Sequence, residues 1–78
     1  MKVDPNRFQF VTGDDPHARL VCYGNMPVMT QMFDDPDSAS ERKRSIAAAT
    51  SLLEYRWSAA SSHARMSILA AIDGDGDD

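Results

Sequence analysis

From Ser38 to Ile72 the chain carries neither glycine nor proline, and this run limits the fold more than any other feature. At about 100° per residue, Ile46, Ala49, Leu53, Trp57, Ala60, Ala64, Ile68 and Ala71 fall on one stripe, the mark of a helix with one apolar side. The stripe stays in phase through Ser61, Ser62 and His63. A continuous helix of about 36 residues would be about 54 Å long. A strand of about seven residues spans only about 23 Å. Such a helix overshoots a sheet and needs a second molecule or partner to cover it. The other arrangement breaks near residues 58–62 and folds a second helix, 63–72, back onto the domain. Serines without Gly or Pro are weak breakers. The fold-back nevertheless buries more surface within one small domain, and it is the expectation favoured here.

The residues before this run read as strands. In 7–12, RFQFVT, Phe8 and Phe10 alternate with Gln9 and are followed by Val11. Gly13, Asp14, Asp15, Pro16 and His17 form a turn signal, with Asp and then Pro suiting a type I turn. In 19–23, RLVCY, Leu20 and Cys22 share one face and Val21 and Tyr23 the other. Gly24-Asn25 is a two-residue hairpin signal. Residues 26–33, MPVMTQMF, complete the set, with Pro27 confined to the strand's start or to an edge. Three strands joined by two hairpins make an antiparallel meander. For the helix start, Asp35 as N-cap before Pro36 competes with a capping box of Ser38 and Glu41. The expected fold is α+β: a three-stranded antiparallel β-meander followed by one long helix or a helix pair (βββα or βββαα). Residues 1–72 form the single domain, and 73–78, DGDGDD, form an acidic, disordered tail.

At 78 residues there is room for one core. A core of this size contributes only a few kcal/mol, so self-association or a bound partner is a reasonable further source of stability. The formal net charge is −4, which argues against a nucleic-acid binder and against a basic membrane-surface peptide. It leaves open the binding of a basic protein. Cys22 is the only cysteine, so no intrachain disulfide forms and a reducing compartment, the cytoplasm, fits best. The first residues show no signal peptide, and no apolar stretch approaches the ~20 residues of a membrane span.

Little chemistry attaches to these residues. The tail opens like a calcium loop, but the sixth position is Asp78 instead of Gly and no Glu follows. His17 and His63 match no zinc spacing. Cys22 alternates with Leu20 and reads as a small buried hydrophobe instead of a nucleophile. No phosphate loop and no Ser/His/Asp set is present. The expectation is a non-enzymatic protein without metal or cofactor. Two surfaces remain as candidates for a partner. Leu52, Tyr55 and Met66 lie off the main stripe on a second, weaker apolar face. Asp14 and Asp15, in the first turn, and Asp34, Asp35 and Asp37, after the third strand, should meet at one end of a meander. The positive end of the helix lies there too. If the second helix folds back, Asp73, Asp75, Asp77 and Asp78 should return to this end, leaving the Gly24-Asn25 end nearly uncharged. Turn and cap formation alone would also place these Asp residues there.

Small size, acidity, a β-β-β-α order and the lack of a catalytic set resemble the small inhibitors that phages encode against host defences, anti-CRISPR proteins among them. The resemblance covers the general plan; no motif carries it and no functional residue transfers. It implies a binding protein that inhibits or adapts a larger, basic protein complex, such as one built to hold nucleic acid, in the host cytoplasm. The alternative is a structural or regulatory homodimer paired through its long helix.

Overall fold

The computed structural model describes residues 1–74. A single 3₁₀ turn, Pro5–Arg7, leads into β1 (Phe8–Thr12), β2 (Ala18–Tyr23) and β3 (Met26–Met32), then α1 (Ala39–Ala59) and α2 (Ser62–Asp73). The strands form one antiparallel sheet in the order β1-β2-β3. The fold is therefore the expected α+β meander, in its βββαα form.

Local chemistry sets the turns. The Asp15 carboxylate accepts the His17 N–H at 2.8 Å, and the Ala18 N–H closes the turn on the Asp15 carbonyl at 3.2 Å. In the second hairpin only Gly24 takes a positive φ, 59°. Asn25 supplies something else: its backbone N–H donates to the Ile72 carbonyl at 2.9 Å, fastening the end of α2 to the hairpin. β3 departs from a plain ladder. Val21 faces Met29 while Cys22 faces Pro27, so Val28 bulges out of register. The bulge resets the alternation. Met26 and Val28 face the core before it; after it Met29 packs against the core and Gln31 lies towards Glu41, Arg44 and Ser45 of α1.

Ser38, and not Asp35, is the N-cap of α1, its hydroxyl accepting from the Glu41 N–H at 3.3 Å. The capping box is only half formed. Glu41 reaches past Ser38, and its two carboxylate oxygens accept the N–H groups of Asp34 and Asp35, both at 2.9 Å. The long apolar run breaks at Ala60, whose ψ of 144° is extended. Ser61 then caps α2 by accepting the Ala64 N–H at 3.1 Å. The Arg65 side chain closes the end of α1, donating from Nε to the Trp57 carbonyl at 2.9 Å with its guanidinium 5.0 Å from the Trp57 ring centre. Serine breaks the helix here because a cap and a side-chain hydrogen bond replace the lost backbone bonds. The continuous helix that would pair two chains is not formed.

The core comprises Phe8, Val21, Tyr23, Met26 and Val28 from the sheet, Ala49 and Leu53 from α1 and Ile72 from α2. Val21, Ala49 and Leu53 have no exposed surface. Ser45 is also buried, and its hydroxyl has no hydrogen-bond partner among the described residues. A buried hydroxyl without a partner costs about 1–3 kcal/mol. Ser45→Ala is therefore expected to raise the melting temperature by about 4–8 °C, the shift of about 1 kcal/mol in a domain of this size. A fall in melting temperature on circular dichroism would show that the hydroxyl contributes to stability after all.

One expectation is corrected. Asp73 does not return to the acidic end. α1 is about 31 Å long and runs past a sheet about 23 Å long. The second helix, about 18 Å, therefore starts beyond the sheet and stops at its near end, at Gly24 and Asn25. Asp73 there pairs with Arg7 at 3.7 Å, so this end is not uncharged. Asp75, Asp77 and Asp78 lie outside the described residues.

Candidate protein-binding surface

Residues facing each other across an antiparallel ladder share one side of the sheet. One side carries Phe8, Tyr23 and Met26, then Phe10, Val21 and Met29, and packs under the helices. The other side carries Gln9, Cys22 and Pro27, then Val11, Leu20 and Thr30, then Ala18 and Met32. No described element covers that second side. Sheets with one wet face usually put polar residues there. Here Val11 is 44% exposed and Met32 59% exposed. Val11, Leu20, Ala18 and Thr30 line a shallow depression of about 410 Å³, which Asp14 and Asp15 border.

The meander brings its acidic segments to the same end. The Phe33 N–H donates to the His17 carbonyl at 2.9 Å, and His17 Nδ1 lies 3.2 Å from the Phe33 carbonyl. These bonds tie the first turn to the exit of β3. Asp15, His17, Met32, Phe33 and Asp34 consequently line one depression of about 380 Å³. Asp35 and Asp37 follow in a tight turn, with the Asp37 N–H on the Asp35 carboxylate at 3.0 Å and the Ser38 N–H on the Asp35 carbonyl at 3.0 Å. Glu41 binds this segment from α1, a sixth carboxylate at this end. Its position in a Ser-x-x-Glu spacing was visible in the sequence, but not that it would hold Asp34 and Asp35. All five aspartates are exposed. None has a salt bridge; among the described residues the only such pair is Arg7 with Asp73.

The second expected face divides. Tyr55 and Met66 are 70% and 69% exposed, whereas Leu52 packs against the core. The open side of the sheet is a further apolar surface, with Val11 and Met32 exposed and Ala18 and Leu20 half-buried between them. The alternation that puts Leu20 and Cys22 on one face pointed to it, but which face the helices would leave bare did not follow from alternation.

Cys22 and His63 sit in contrasting surroundings. Cys22 is buried, and burial pushes its thiol above the usual range, which opposes the thiolate a nucleophile needs at neutral pH. His63 is exposed in the first turn of α2. Among the described residues no group of three or more His, Cys, Asp or Glu side chains is placed to hold a metal ion. No described helix is long and apolar enough to cross a membrane. No family model, curated protein or solved structure matches the chain.

Proposed function

We propose that the protein is a non-enzymatic binding module that inhibits or adapts a larger protein, docking on a basic surface through its acidic end and the bare side of its sheet. One observation carries this reading: Asp14, Asp15 and Asp34, none of them in a salt bridge among the described residues, border the apolar side of the sheet that the helices leave open. An apolar centre with a charged rim is the anatomy of a protein interface. The rim charges steer a partner of opposite sign, and the centre supplies the contact area. A basic groove built to hold nucleic acid would have the complementary charge, and a protein of that kind is the partner proposed.

The test uses the partner captured from cells of the source organism, with binding then measured on purified proteins. Asn caps and turns about as well as Asp. Changing Asp14, Asp15, Asp34, Asp35 and Asp37 together to Asn therefore removes five negative charges and keeps the fold. The expected result is at least about tenfold weaker binding at about 0.15 M salt, and native binding that weakens as salt rises. Met32→Ser in the native background should slow association little and speed dissociation. If the five-site variant binds like the native protein at that salt, the aspartates serve only as turns and caps.

A further inference from the structure

The two edges of the sheet differ. Along β3, Pro27 offers no N–H, Val28 bulges out of register, and Arg56 donates to the Val28 carbonyl at 3.0 Å. Proline, a bulge and a charged side chain over the edge are devices that discourage a further strand. β1 has no proline and no bulge, and among the described residues no side chain is hydrogen-bonded to its backbone. Its sequence, FQFVT, also holds no charge, its ladder to β2 runs without a shift, and it pairs with β2 alone. The helix layer is also off-centre, packing on β2 and β3. Beside β1 the inner side of the sheet therefore opens into a groove of about 490 Å³. Pro5, Phe8, Phe10 and Ile46 form its apolar lining, and Arg42 and Lys43 add two cations. The Arg42 guanidinium lies 4.8 Å from the Phe10 ring centre. Neither cation is in a salt bridge among the described residues. Asp4, next to Pro5 in the chain, directs its carboxylate to the Asn6 N–H at 2.9 Å.

We propose that the β1 edge takes up an extended segment of another protein as a fourth strand. Backbone hydrogen bonds to β1 hold the segment. Side chains two apart on a strand point the same way. A segment whose groove-facing positions pair an apolar residue with an acidic one thus sets the first against Phe10 and Ile46 and the second against Arg42 and Lys43. A second copy of this chain fits less well. Pairing β1 with another β1 would crowd two sets of Arg42 and Lys43 into one groove and join two chains of net charge −4. This site lies on the opposite side of the sheet from the acid-rimmed face, and the two stand or fall separately.

The probe is a short blocked peptide alternating Val and Thr, with the Val positions facing the groove and one of them replaced by Glu, titrated into the ¹⁵N-labelled protein. The hydrogen bond from the Gly24 N–H to the Arg7 carbonyl, with the alternation of an antiparallel ladder, turns the amides of Phe8, Phe10 and Thr12 away from β2. The expected result is shifts and slowed hydrogen exchange at those three amides. The same peptide with Lys in place of Glu should bind about tenfold more weakly. N-methylation of alternate residues, which removes the backbone donors, should abolish binding. Arg42→Glu with Lys43→Glu, both exposed positions, should weaken the Glu peptide about tenfold and the Lys peptide not at all. No shift at millimolar peptide overturns the proposal. So do equal binding of Glu and Lys peptides, indifference to N-methylation, or shifts confined to Val11, Leu20 and Met32 without slowed β1 exchange. A free protein whose mass doubles with concentration while β1 amides become protected would assign the edge to a second copy, and would also overturn it.

Discussion

Leu53→Ala is expected to leave the chain largely unfolded at about 25 °C, because removing a fully buried leucine costs about 2–5 kcal/mol. Leu53 has no exposed surface and belongs to the cluster that α1, α2 and the sheet all enter. A single core in a chain this short supplies about 3–5 kcal/mol in total. The loss is thus as large as the stability. Urea unfolding followed by circular dichroism checks it, with Tyr55→Ala as the control. Tyr55 is 70% exposed, and substitutions at such positions stay within about 0.5 kcal/mol. A Leu53→Ala protein with a native midpoint would mean that the helices rest on the sheet without depending on this side chain.

Gly24→Ala should be the next most damaging single change, and for two reasons at one atom. Gly24 has φ of 59°, where a side chain costs about 1–2 kcal/mol. An added Cβ would also lie 2.6 Å from the Ile72 carbonyl oxygen and 3.0 Å from the Ile72 side chain. That carbonyl accepts the Asn25 N–H, so the clash pushes the end of α2 off the hairpin. The melting temperature should fall by about 10 °C or more, with about 2–3 kcal/mol lost. Hydrogen exchange should quicken in α2 before it does in α1. Equal quickening in both helices would contradict a local release of α2. Gly13→Ala is the contrast, since an added Cβ there meets nothing within 4 Å.

The same two positions mark where sequence reasoning worked and where it stopped. Gly24-Asn25 was readable as a hairpin, because the turn is decided by four neighbouring residues. Nothing in those residues says that Ile72, far along the chain, would bond to Asn25. Leu53 was readable as a core position from its place on the helical stripe. That Ile72 would be the buried residue of α2, with Ile68 only partly covered, depended on where α2 begins and how far it returns. For the candidate surface, the meeting of Asp15 with Asp34 followed from meander topology. The bare Val11, Leu20 and Met32 side did not, since either side of a sheet with apolar residues on both can take the helices. The bulge at Val28 helps to decide it: it puts Val28 and Met29, consecutive residues, against the same helix layer.

The sequence by itself determined the order of elements, the turn at Asp15-Pro16, the hairpin at Gly24 and the apolar stripe. Its serines between residues 58 and 62 offered a place for a break but left one helix or two open. These are interactions over one to four residues, so their causes sit beside one another in the chain. Only the tertiary structure decided where α2 ends, which side of the sheet stays bare, that a bulge and Arg56 join Pro27 in guarding the β3 edge, and that Glu41 holds Asp34 and Asp35. Those outcomes turn on the mismatch between a helix of about 31 Å and a sheet of about 23 Å, and on packing between residues that the sequence keeps apart.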